Sequence, residues 1–345
     1  SIFSQSDVKY VSPSGSDSND GSLNSPYKTI AKALSTLNTG TIKLLDGIYR
    51  EKVFIENKNN IIISGDQLGN AVIDGTINLN EFNWTKTENN IFKTTIDTAI
   101  WQLFVEDKEM VMARWPNAQF NDQSIFDKHN WAEGDESTSQ DGQLYIDESK
   151  KDPGTINLTN SVGILNVGSF KTFNKRITNH TIQNGNDLIE YDGNFGNSFK
   201  TKHHYFFFEG KKELIDVQNE WFLDQENEML FVFPQNSVDL NNTSVRGKVR
   251  DYSVLIDNSS HVTFEGLTFF ATTLKAENSS YLNIIDCNFY YPSYSRRMLG
   301  ELQGAAPTIF GTSGTNEVHN STIEDCLFID SEGEGLIIKG DHNKV

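Results

Sequence analysis

The chain has 345 residues, with 47 acidic against 29 basic side chains and a formal net charge of −18 at pH 7. That balance excludes an ordinary nucleic-acid binder, whose footprint is basic, and no run approaches the ~18 apolar residues of a membrane span. Two cysteines, Cys287 and Cys326, are too few for a disulfide scaffold and wrongly spaced for a zinc site, so they read as reduced core residues.

Residues 9–34, "KYVSPSGSDSNDGSLNSPYKTIAKAL", predict a strand, a polar turn region and a short helix. Ser25 is the expected N-cap and Pro26 the first helical residue, with Ile30, Ala33 and Leu34 forming the apolar face. So short a helix is expected to cap a larger element. Asp17, Asn19, Asp20 and Gly21 hint at calcium, but no Glu completes a binding loop, and a polar turn is the simpler reading.

From Thr41 to Thr76, three- to five-residue apolar runs alternate with Asp-Gly, Asn-rich and Gly-Asp turns, which suits a solenoid. Residues 84–250 differ in texture. Aromatic-rich hairpins such as "HHYFFFEGKKELID" and "EWFLDQENEMLFVFP" predict an inserted antiparallel β domain between the first coils (1–83) and the later ones (251–345). In the later part "FEGLTF" (264–269), "IIDCNF" (284–289) and "IEDCLF" (323–328) superpose without gaps. "IFGTSGTNEV" (309–318) aligns with "LIIKGDHNKV" (336–345), placing Lys339 opposite Thr312. A coil of about 20 residues is the period of a parallel β-helix, with predicted inward ladders Leu267/Cys287/Cys326 and Phe269/Phe289/Phe328. The fold class is therefore all-β: a parallel β-helix with an N-terminal capping helix and an inserted antiparallel β domain. Because a β-helix must cover its last coil, further coils beyond Val345 or a second chain are expected there.

The segments "YVSPSGSDSNDGSLNSPYKTIAKAL", "LLDGIYRE", "MVMARWPNA" and "EWFLDQENEMLFVFP" together resemble bacterial right-handed parallel β-helix enzymes acting on polysaccharides. The inserted domain looks most like that of β-helical glycoside hydrolases, including fucosidase and endo-fucoidanase relatives. The opening and the coils are shared more loosely with alginate and chondroitin lyases. The resemblance implies a secreted or cell-surface hydrolase of an anionic, fucan-like polysaccharide. The start at Ser1 suits removal of an export signal as well as a trimmed start.

Glycoside hydrolysis needs two carboxyl groups flanking the scissile bond, and neighbouring coils can deliver the spacing. Glu334 is the first candidate: "GEGLIIKGDHNKV" is similar to the polygalacturonase-type coil in which paired Asp residues precede a strand, with Gly333 replacing the first acid. Asp330 and Glu332 lie in the same turn as a partner or a cation ligand; the alternative is that all three are solvated turn residues. Asp286 and Asp325 repeat the coil position of Gly266 and read as turn formers. The excursion from Tyr290 to Pro307 offers Tyr291 and Tyr294 for stacking on sugar, and Arg296 and Arg297 for a carboxylate or sulfate, unless one Arg pairs with Glu301. His319, Lys339 and His342 supply base types for a lyase, or else are simply solvated. In the insertion, Arg114 and Trp115 of "ARWPN" read as a packed strand end. No cofactor is required, Ca²⁺ stays open, and a non-catalytic carbohydrate-binding β-helix is the third reading.

Overall fold

The structure is a computed structural model that describes residues 7–167, 172–200 and 202–345. It divides into two compact units. One comprises 1–77, 248–294 and 304–345; the other comprises 78–247 and 295–303.

The first unit is built of three parallel sheets that the chain visits in rotation. The first sheet takes Val8–Val11, Gly40–Leu44, Asn59–Gly65 and Ser260–Glu265, then two broken strands around Ser279–Ile285 and Val318–Glu324. The second takes Gly47–Tyr49, Ala71–Asp74, Leu267–Phe270, Asn288–Tyr290 and Leu327–Ile329. The third takes Val53–Glu56, Tyr252–Asp257, Thr273–Glu277, Thr308–Phe310 and Leu336–Ile338. Each circuit of three strands is one coil. Since strands alternate their side chains between faces, a parallel in-register stack places like residues above one another. Ile42, Ile63, Phe264, Ile284 and Ile323 form one such inward column, and Ile55, Ile256, Ala276, Phe310 and Ile338 another. The predicted phenylalanine ladder is present: Phe289 stacks on Phe269 and on Phe328 with centroids 4.5 Å apart in each case. Cys287 and Cys326 are free thiols, the first fully buried.

Sharp bends connect the sheets, and they explain the wealth of Asn and Asp. Gly266, Asp286 and Asp325 all hold positive φ, at 68°, 51° and 52°, at the same bend of successive coils. So do Asn57, Asn258 and Asn278 at another. Left-handed backbone is cheapest for Gly, Asn and Asp, so the turn-forming reading of Asp286 and Asp325 has its physical cause.

Two predicted details are corrected. The helix runs Ile30–Thr36 and its N-cap is Thr29, whose side chain accepts from Lys32 N–H; Ser25 and Pro26 lie outside it, because Tyr27 is held alongside Val11 in a parallel bridge. The apolar face is as expected, with Ile30, Ala33 and Leu34 buried. The last two third-sheet strands pair Thr308 with Leu336 and Phe310 with Ile338, one residue away from the predicted alignment. Lys339 therefore follows the register of Gly311 rather than Thr312. A one-residue slip would turn the core residue Phe310 outward, and the loops that follow differ in length, which misled the gapless match.

The second unit is mainly antiparallel. One sheet orders Arg114–Trp115, His204–Glu209, Val162–Val167, Thr172–Gln183, Asn186–Tyr191 and Gln143–Tyr145. Another joins Val111–Met112, Glu220–Asp224, Met229–Phe233, Phe92–Thr95 and Thr85–Lys86. Leu165, Ile189, Phe206 and Phe208 anchor its core. The unit takes in 78–247 where the sequence suggests 84–250, and adds the tip of the later excursion, 295–303.

Candidate functional site

Three excursions leave the first unit's coils at one kind of bend, that from the second sheet to the third. The insertion departs after Ala71–Asp74, the Tyr290–Pro307 segment after Asn288–Tyr290, and the acidic turn 330–335 after Leu327–Ile329. Ala271, Tyr291 and Asp330 occupy the same left-handed position on successive coils, with φ of 51°, 52° and 56°. Ala271 N–H donates to Tyr290 O, and Tyr291 N–H to Ile329 O. Tyr291 and Asp330 are thus neighbours one strand spacing apart, about 4.8 Å.

Glu332 is tied to the coil before it. Its N–H donates to Ser293 O over 3.1 Å, and the buried Ser293 hydroxyl donates to its carbonyl over 2.7 Å. Asp330 and Glu334 are exposed, and among the described residues neither makes a hydrogen bond or ion pair. The three predicted carboxylates therefore share one turn, with Tyr291 and Ser293 on the adjacent coil.

Sequence reasoning missed what holds this corner. Lys248 is fully buried, and its Nζ donates to Tyr291 O and Pro292 O, each at 3.2 Å. Two coils earlier, Arg50 Nη2 lies 3.0 Å from the fully buried carboxylate of Asp74, which also accepts from the N–H and hydroxyl of Thr76. Lys248 belongs to no motif, and the Asp-Gly turn at Asp74 gives no sign of an ion pair with Arg50; the coil register brings both residues to the bend.

The remaining candidates go elsewhere. Arg296 and Arg297 belong to the second unit. Arg297 Nε donates to the buried Glu209 carboxylate and Nη1 to Ser295 Oγ, with the side chain 11% exposed. Arg296 lies 4.3 Å over the Trp101 ring and 3.6 Å from Glu301. These contacts satisfy much of both guanidinium groups within their own unit, the Glu301 pairing included. Tyr294 is half-buried. His319, Lys339 and His342 gather at a different bend, from the third sheet to the first: Asp341 N–H donates to His319 Nδ1, and Val318 N–H to Lys339 O. Beside them an outward pair, His261 and Tyr281, stacks at 4.6 Å and 14°. Arg114 is buried, over the Phe207 ring at 3.7 Å, as a packed strand end should be.

For a cation, Glu148, Asp152 and Asp187 bring carboxylate oxygens within 4.8 Å of one another. Each also has a protein partner: Asp187 lies 2.7 Å from His180 Nε2, Glu148 accepts Asp187 N–H, and Asp152 accepts Gly154 N–H. Asp17 and Asp20 serve turns, accepting from Lys28, Thr29 and Ser22.

No family model matches the chain. The uncharacterized protein YwoF of Bacillus subtilis (strain 168) is 31% identical over 80 residues, which are 19% of this chain and 17% of that protein. A solved structure described as a glycoside hydrolase superposes with a TM-score of 0.73 at 17% identity, over 96% of this chain and 67% of that one. What this likeness shows is the fold. A structure described as XylC in complex with xylose aligns over 93% of this chain and 50% of that one, at 14% identity and a TM-score of only 0.40. No helix among the described residues is long and apolar enough to cross a membrane.

Proposed function

We propose that the chain belongs to a carbohydrate-active enzyme, a glycoside hydrolase that cleaves an anionic, fucan-like polysaccharide outside the cell. The coils wind right-handed, as nearly all parallel crossovers do. Glu334, Asp330 and Glu332 supply the acid and base or nucleophile, and Tyr291 and Tyr294 stack on sugar. The observation that carries the proposal is the second-to-third-sheet bend, where the exposed carboxyl groups of Asp330 and Glu334 share one turn with Glu332, one coil from Tyr291 and Ser293. The fold shared with a glycoside hydrolase supports it.

The test is turnover of a panel of sulfated and uronic-acid polysaccharides, followed by reducing-end release. Glu334→Gln, Asp330→Asn and Glu332→Gln are each compared with the parent. At least one is expected to lose 10²-fold or more in kcat, the scale on which general acid–base groups act. Parent-like rates in all three would remove the carboxylate assignment.

A second reading, a lyase, draws on the cluster of Tyr281, His319, Lys339 and His342, which offers bases without a carboxyl pair. It predicts unsaturated, ultraviolet-absorbing products and insensitivity to Glu334→Gln. Glycan binding with no turnover would favour a non-catalytic carbohydrate-binding protein.

A further inference from the structure

The second unit contains a cleft of 590 Å³, within the usual range for small-ligand sites. Three chain segments far apart in sequence form it: the loop after Arg114–Trp115, the turn before Glu220–Asp224, and the end of Met229–Phe233. Its chemistry is narrow. The lining offers the amides of Asn117, Gln119 and Gln218, the carboxylates of Asp122 and Asp216, and the half-buried ring of Phe233. No Lys, Arg or His lines it among the described residues.

The walls are braced. Asn117 Nδ2 donates to Asp216 Oδ1 over 2.9 Å, Asn219 Nδ2 to Gln119 Oε1 over 3.2 Å, and Asn219 N–H to Phe233 O. Gln119 Nε2 is shielded from solvent and donates to no protein atom. Hydrogen bonds from the hydroxyl and N–H of Ser124 hold the Asp122 carboxyl below its ordinary range, so it is an acceptor at neutral pH.

We propose that this cleft binds a neutral oligosaccharide. Amides and carboxylates together give paired donors and acceptors for sugar hydroxyls, and one aromatic ring suits the apolar face of a pyranose. Two carboxylates without a counter-cation repel sulfate and uronate groups. The cleft would thus take an uncharged stretch or branch of a glycan, whereas the proposed catalytic turn acts on an anionic one. This inference rests on the carbohydrate reading of the whole protein but not on its catalytic assignment.

Isothermal titration of the full chain with neutral hexaoses of glucose, xylose and mannose, beside a sulfated fuco-oligosaccharide of equal length, tests it. At least one neutral hexaose is expected to bind with a submillimolar Kd. At low salt the sulfated one should bind at least tenfold more weakly. Phe233→Ala should weaken neutral binding tenfold or more, with near-ultraviolet circular dichroism checking the fold. Should that variant unfold, Gln218→Ala, at a half-buried lining position, should weaken binding at least threefold. Glu334→Gln should leave it unchanged. Absence of binding to all three neutral hexaoses at millimolar concentration would overturn the proposal, as would tighter binding of the sulfated one. So would binding that survives both Phe233→Ala and Gln218→Ala. Continued cleavage by a protein that binds none of them would remove the cleft proposal and leave the hydrolase reading standing.

Discussion

Glu220 shows how one buried side chain can set the pH response of the second unit. It is fully buried; burial pushes its carboxyl from 4.5 up to about 8, against the pull of N–H donors from Asp216, Arg114 and Val217. Its folded value is raised, so its contribution to stability is complete below about 4.5 and is lost as pH rises towards 8, where the slope ends. Urea unfolding between these limits should show stability falling by at most about 1.4 kcal/mol per pH unit from this group. Glu220→Gln should flatten that slope, and parallel curves for the two proteins would refute the assignment. At the bends the same scale gives a second expectation. Asp286 has φ of 51°, so Asp286→Gly should be nearly neutral, while Asp286→Val should cost about 1–2 kcal/mol or more in chemical denaturation. Equal costs would argue against a conformational role.

Among the elements, the ladders and the short helix show local sequence depending on stacking. Phe289 is fully buried between two parallel rings. Phe289→Ala should cost about 3–5 kcal/mol, and Phe328→Ala less, because Phe328 is only partly buried. Guanidinium unfolding measures both; equal losses would mean that the ring stack is not the cause. The seven-residue helix is too short to persist alone. Glu51 accepts from its first N–H groups, at Ile30 and Ala31, while Lys58 Nζ donates to Leu34 O and Leu37 O at its end. These charges oppose the helix dipole at both ends, and both come from coil residues.

What the sequence could show follows from these facts. The inward columns were legible because like residues recur at a fixed spacing, and the bends because left-handed backbone selects Asn, Asp and Gly. The one-residue slip at Phe310 arose where unequal loops break that spacing. The Arg297–Glu209 pair, 88 residues apart in sequence, and the support of Tyr291 by Lys248 carry no local pattern. Nor does the amide-lined cleft, whose three segments meet only through sheet pairing. Asp330, Glu332 and Glu334 were visible as an acidic run. Their adjacency to Tyr291 and Ser293 needed the coil register.

At the scale of the whole molecule, the proposed carboxylates of one bend lie on a chain of net charge −18. A polyanionic substrate meets that field at a cost, so cleavage of a sulfated polymer should quicken as salt screens the repulsion; an unchanged or falling rate would point to a less charged substrate. Hydrolysis is tested most directly by the mass balance of the cleavage products. With a defined oligosaccharide that the protein cleaves, mass spectrometry should find two fragments whose masses sum to the parent plus one water, with no unsaturated sugar. Fragments summing to the parent alone, one of them carrying a double bond, would contradict it and identify elimination instead.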